Sequence, residues 1–178
     1  MTRLTSIAPA EMDAAQCRVV EAALAGRRQY LPAPLTAWLH SPAMAMPAQA
    51  LGEAIRFDLR LAPVVTAMAA FTAAVHWNAG YVQNVQEAKL RAEHVAEDAI
   101  AAIKAGARPA LSDPAQATAY DVARRLLTGQ GMDDATYATA TGVLGQSGMV
   151  ELVTAIGYYT MVSLTVVTFG IASAEQPA

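Results

Sequence analysis

The sequence predicts an all-α fold on three observations. Alanine saturates the chain, segments of helix length are bounded by proline, glycine and aspartate, and β-branched residues fall inside those segments rather than in alternating strand patterns. The 178 residues are 54% hydrophobic and only 15% charged, far from the composition of a disordered chain. A chain of this length removes roughly 70% of its unfolded surface from water. One domain over residues 1–178 is therefore expected, with part of the apolar excess hidden in an oligomer.

Taken in order, the first helix is expected over about 10–25, opened by Pro9 and closed by Gly26. Residues 31–41 read as a connector with a helical turn around Ala37, because Pro32, Pro34 and Pro42 forbid a longer helix. Pro47 is expected to open the next helix, to about Phe57. Pro63 opens a strongly apolar helix to about Trp77, which breaks at Asn78-Ala79-Gly80 and resumes from Tyr81 to about Glu93. A short helix over 97–105 stops at Gly106. Asp113-Pro114 gives an N-cap followed by proline at the first helical position of a helix ending at Thr128-Gly129. Asp133 caps another to about Leu144, and after Gly145 to Gly148 the last helix runs to Gly170. The tail, 172–178, reads as frayed.

Composition narrows the function classes. A net charge of −3 with 12 scattered Lys and Arg leaves no basic stripe for phosphates, so nucleic acid is not an expected partner. The single cysteine, Cys17, allows neither a disulfide framework nor a Cys-x-x-Cys redox pair, and reads as a small buried hydrophobe of the first helix. The N-terminus lacks the charged leader and apolar block of a signal peptide, which predicts a cytoplasmic protein. Residues 149–169 approach membrane-spanning length, but Glu151, two tyrosines, Gly157 and several Thr and Ser favour a buried core helix and no membrane partner. The three histidines, His40, His76 and His94, offer no i, i+3 or i+4 pair, so no metal site is expected, and with no Gly-x-Gly-x-x-Gly or Walker loop no nucleotide cofactor is expected either.

His76-Trp77-Asn78 is the feature with chemical content. A polar triplet with a large aromatic interrupts an apolar helix where the backbone breaks, and such breaks expose backbone groups and wall small-molecule pockets. The competing reading is a cap in which Asn78 closes the helix and His76 is a hydrogen-bonded core residue. Glu87, Lys89, Arg91, Glu93, Glu97 and Asp98 read as a solvated helix edge. Tyr158-Tyr159 reads first as core, with pocket lining by one of the two as the lesser alternative.

These segments have an order and spacing that resemble the carboxymuconolactone decarboxylase family, the all-helical group that includes the alkylhydroperoxidase D proteins. The resemblance spans about 34–170. It is carried by His40-Ser41-Pro42, Leu61-x-Pro63, His76-Trp77-Asn78-x-x-Tyr81, Tyr120-Asp121 and Asp134-Ala135-Thr136-Tyr137, then by Val150-Glu151-Leu152-Val153 and Gly157-Tyr158-Tyr159-Thr160-Met161-Val162. It implies an alkylhydroperoxidase D-like helical bundle that assembles as a homo-oligomer: a trimer, hexamer or dimer.

The family pattern would place glutamate at Ala67 and at Val82, tryptophan at Gln83 and histidine at Gln86, and this chain has none of the four. Gln86 cannot change protonation and Val82 can neither donate nor accept. Paired thiols near Tyr81 to Gln86 are also missing, so a cysteine-dependent peroxidase is not expected. The resemblance then implies a cofactor-free lyase, isomerase or cyclase with a rebuilt pocket, acting on a small oxo-acid, lactone or enolisable ring compound. His76, Tyr81 and Gln86 are its expected catalytic residues, and Trp77, Asn78, Val82, Gln83 and Tyr159 its expected substrate contacts. The alternative is a non-catalytic family member, a ligand-binding or structural subunit without the acid-base residues.

Overall fold

The computed structural model describes residues 3–171, and the expected frayed tail at 172–178 lies outside them. Among the described residues the chain is all-helical, with no strand. After a 3-10 turn at Pro9–Glu11 come α1 (Ala14–Ala25), α2 (Ala33–Trp38), α3 (Pro42–Phe57), α4 (Pro63–His76), α5 (Gly80–Ala92), α6 (Glu97–Lys104), α7 (Pro114–Leu127) and α8 (Asp134–Phe169).

Several boundaries differ from expectation for local reasons. Pro9 opens only the 3-10 turn, and α1 starts where Asp13 takes the N–H groups of Ala15 and Gln16 while the Gln16 side chain accepts the Asp13 N–H in return. Pro42, not Pro47, opens α3. Pro47 then sits inside the helix, where its ring costs one backbone hydrogen bond. Cys17 lies in α1 but is half-exposed rather than buried, its Sγ 3.9 Å from the Met12 carbonyl. The expected loop at Gly145 to Gly148 contracts to one residue: Gly145 alone leaves helical geometry, at φ 71° and ψ 169°, and splits α8.

Helix α4 is the centre. Its ten consecutive residues Val65 to Ala74 are all buried, which requires neighbours on every side, and α5, α6, α7 and α8 supply them. Met68, Phe71 and Val65 pack with Val122 of α7, Ile100 and Ile103 of α6 and Leu152 of α8. Ala70, Ala73 and Ala74 face Val82 of α5 and Ala155, Tyr158 and Tyr159 of α8. A third cluster, Val19, Ala23, Leu35, Leu39 and Ala45, joins α1, α2 and α3. Glu151, the acid within the apolar part of α8, accepts the backbone N–H groups of Arg60 and Leu61 at 2.9 and 3.0 Å and so fastens α8 to the segment entering α4.

α8 is long and apolar enough to cross a membrane, by length and composition, and 50% of its most apolar window is buried inside the bundle. Its outer side carries exposed Val150, Val153, Met161, Leu164 and Val167, which with Gly157 fall on one helical face.

The small side chains of α4 set its distance to α8. Ala70→Leu should therefore lower stability by about 1–3 kcal/mol through overpacking, read as a lower urea midpoint with an unchanged slope.

Candidate functional site

The end of α4 turns on a Schellman motif. Ala79 N–H reaches back to the Ala74 carbonyl (2.8 Å) and Asn78 N–H to that of Val75 (3.1 Å), with Asn78 in the left-handed region at φ 51°. Asparagine tolerates that conformation. The Gln83 amide also donates to the Ala74 carbonyl at 3.2 Å. Asn78 and Gln83 thus serve helix closure. His76 stands half-exposed, edge-on to Trp77 with ring centroids 4.8 Å apart, and is not the buried histidine that a core reading would require.

The turn directs α5 so that Tyr81, Val82 and Gln86 face α8. There they meet Tyr158, Tyr159 and Val162, with Trp38 of α2 and Gly52 and Arg56 of α3, around an inner cavity of about 50 Å³. Arg28 and Tyr30, from the segment between α1 and α2, complete it. Arg56, Gln86 and Tyr159 also line a larger cleft of about 370 Å³, whose other walls include Phe57, Leu61, Thr66, Ala67, Lys89 and Glu93. Of the expected site residues, the structure gathers Tyr81, Val82, Gln86 and Tyr159 at these cavities. His76, Trp77, Asn78 and Gln83 line neither.

The residues that dominate the site electrically are ones the sequence reading did not assign to it: Arg28 and Arg56, which it left out, and Lys89, which it placed on a solvated edge. None of the ion pairs among the described residues includes them. Arg28 is 8% exposed, donates to the Gln49 amide oxygen at 3.2 Å and to the Tyr158 hydroxyl, and leaves its buried Nε without a partner. Gln49 passes that contact on to Glu53 at 3.3 Å, so the carboxylate stands one amide removed. Arg56 donates to the Tyr30 hydroxyl at 2.9 Å, and its Nε is likewise buried and unpartnered.

Burial, assisted by repulsion from Arg56 and Arg28, holds the Lys89 ammonium down to about 8. Burial pushes Tyr81, Tyr158 and Tyr159 above the ordinary phenol value despite the nearby guanidinium groups, so all three remain proton donors at neutral pH. Tyr81 takes a hydrogen bond from the Ala33 backbone, and Gln86 hydrogen-bonds Tyr159 while its own Oε1 stays buried and unused. Gly52 makes the arrangement possible. A Cβ there would lie 2.1 Å from the Tyr158 hydroxyl and 3.1 Å from Arg28 Nη2.

The solvated edge expected along α5 is corrected at two positions. Glu87 is buried and clamped by Arg91 (2.6 Å) and Lys104 (2.9 Å), and Lys89 turns into the cleft. Both tyrosines of the 158–159 pair line the inner cavity as well as belonging to the core. One signal for Arg56 was present in the sequence: Gln49, Gly52 and Arg56 fall at i, i+3 and i+7, a stripe of polar and small residues on one helix face. Among the described residues no group of His, Cys, Asp and Glu could hold a metal ion.

Comparison with protein-family models and with curated proteins gives no match.

Two measurements test this geometry. Gly52→Ala should cost about 1–3 kcal/mol, and adding Tyr158→Phe should recover part of that loss by removing the closest clashing atom. The second concerns pH. Between about 8 and the ordinary lysine value of 10.5 the unfolded chain keeps a proton that folded Lys89 has released, so stability rises with pH through that window. The tyrosines act in the opposite direction from about 10 upward, since the unfolded phenols ionise first. Denaturation midpoints from pH 7 to pH 10 should rise less in Lys89→Met than in the parent.

Proposed function

We propose that this chain is a cofactor-free enzyme of the carboxymuconolactone decarboxylase-like kind. It acts as a lyase, isomerase or cyclase on a small anionic oxo-acid, lactone or enolisable ring compound. The observation that carries this reading is the pair of arginines facing the inner cavity with no carboxylate directly paired to either. Burying a guanidinium without an opposing charge is costly, and a ligand carboxylate would offset that cost. The cavity would then recognise an anion, with Tyr81, Tyr159 and Gln86 left to act on the remainder of the substrate.

The placement of the divergent positions supports the same reading. Ala67 and Gln86 wall the larger cleft and Val82 and Gln86 the inner cavity, so three of the four positions where the resemblance would put carboxylate, carboxylate and imidazole converge on these spaces. With those groups absent, transition-state stabilisation falls to preorganised donors: phenols that stay protonated and the Gln86 amide, aimed at a developing oxyanion. His76, outside both cavities, has no direct part in this scheme.

The apolar side chains at Ala67 and Val82 specifically favour a second reading, a non-catalytic ligand-binding relative. The two part on turnover. Across a panel of small lactones and oxo-acids, Tyr159→Phe should reduce kcat by about 10²-fold or more, while His76→Ala stays near the parent rate. Arg56→Gln should chiefly raise KM. A purified sample that binds these anions but converts none of them above the protein-free rate would remove the enzyme and leave the binder.

Self-association belongs to the same proposal. The exposed face of Val150, Val153, Gly157, Met161, Leu164 and Val167 offers a second copy an apolar row, and an added Cβ at Gly157 would meet nothing within 4 Å. Leu164→Glu should lower the assembly mass in sedimentation; an unchanged mass would place the contact elsewhere.

A further inference from the structure

The chain contains two lysines and ten arginines, and the lysines occupy opposite environments. Lys104 is half-exposed and ion-paired with Glu87 at 2.9 Å. Lys89 lines the larger cleft beside Arg56, Gln86, Thr66 and Tyr159, without an acid partner. It lies one turn along α5 from Gln86, on the same face. Glu93, on its own helix, borders the same cleft, but no ion pair joins the two.

We propose that Lys89 is a nucleophilic amine that forms an imine with the carbonyl carbon of an oxo-acid held in this cleft, the acid's carboxylate seated against Arg56. The proposal rests on the reading of the cavities as a site for a small anionic carbonyl compound, and adds the group that does the chemistry.

Three features converge on it. The cleft, at about 370 Å³, has room for a short oxo-acid beside the side chain. The guanidinium of Arg56 lines the same cleft and that of Arg28 the adjoining cavity, while Glu93 makes no ion pair with the amine, so no carboxylate in contact holds it as an ammonium. Burial and those charges bring its pKa to about 8, which leaves free amine at physiological pH, where an ordinary lysine has almost none. The neighbouring phenol of Tyr159 remains protonated and can give its proton to the departing oxygen.

The step balances without a further reagent. The Lys89 nitrogen adds to the carbonyl carbon, and the resulting carbinolamine loses its oxygen as water to give C=N. In a 3-oxo acid the protonated imine then receives the electron pair of the C–carboxylate bond. Carbon dioxide leaves, an enamine remains, a proton adds to its carbon, and water returns to the C=N bond to release the ketone and the amine.

The test traps the imine. The full chain is incubated with pyruvate and sodium cyanoborohydride at pH 7.5, digested, and the two lysine-containing peptides are compared by mass spectrometry. At that pH Lys89 holds on the order of a hundredfold more free amine than an ordinary lysine, so its reduced adduct should exceed that on Lys104 by at least about tenfold. The adduct should vanish in Lys89→Arg, which keeps the charge. Equal labelling of the two lysines, or none on Lys89 although pyruvate binds, overturns the proposal and leaves the anion site standing. Failure of pyruvate and of acetoacetate to bind, by calorimetry, removes the parent reading with it. As a second readout, Lys89→Arg should bind acetoacetate and fail to decarboxylate it, and a parent-like rate in that variant overturns the amine role.

Discussion

Helix α4 imposes the constraint from which the rest follows. A helix buried along ten consecutive residues cannot lie on a surface and cannot choose a single partner, so the bundle has to close around it. Its composition fixes how closely the others approach. The alanines at 70, 73 and 74 leave room for the large rings of Tyr158 and Tyr159 on α8, while Met68 and Phe71 fill the side toward α6 and α7. The cavities lie on the alanine side, where one helix contributes little volume and its neighbours contribute aromatics and arginines.

What those arginines and lysine do is set by one difference in chemistry. A guanidinium keeps its charge at any pH a protein meets, so Arg28 and Arg56 must be accommodated as cations by hydroxyls, by Gln49 and at one remove by Glu53. An ammonium can surrender its proton, and Lys89, desolvated by burial and pressed further by those two charges, is the member of the group that yields. The cavities thus bring together two fixed cations and one amine whose proton is held less tightly. Gly52 is part of the same design, since the hydroxyl that stabilises Arg28 occupies the volume a side chain would need.

Much of the helix layout was legible because it depends on local signals. Asp113 and Asp133 cap the helices expected of them, and the break at Asn78 falls where a residue tolerant of positive φ follows an apolar helix. Starts governed by competing prolines were less legible: Pro42 and Pro47 both suit a first turn, and the helix takes the earlier one, with Ala45 buried in the added stretch. At the site, Tyr81 and Gln86 could be found from the chain around the break, and Tyr159 from the tyrosine pair of the last helix. Arg28 could not, and Arg56 only as part of the Gln49-Gly52-Arg56 stripe, because what marks both is the absence of an acid in three dimensions, which spacing along one helix does not report. Lys89 was misplaced for a related reason. A run of charges looks like a wet edge until the packing shows Arg91 and Lys104 enclosing Glu87 and Lys89 lining the cleft.

The long span of the contacts at the cavity bears on how the molecule comes to exist. The hydrogen bond from Trp38 to Thr165 joins residues 127 positions apart, whereas α4 meets α5 immediately and α7 soon after. Contacts of such separation close late, since loop entropy has to be overcome before they return any stability. During synthesis the segment with Arg28 and Arg56 therefore emerges long before the tyrosines that receive it, and the cavity forms only when α8 docks. The cavity is the last part of the molecule to assemble, so a damaged or truncated chain loses the cavity before it loses its core.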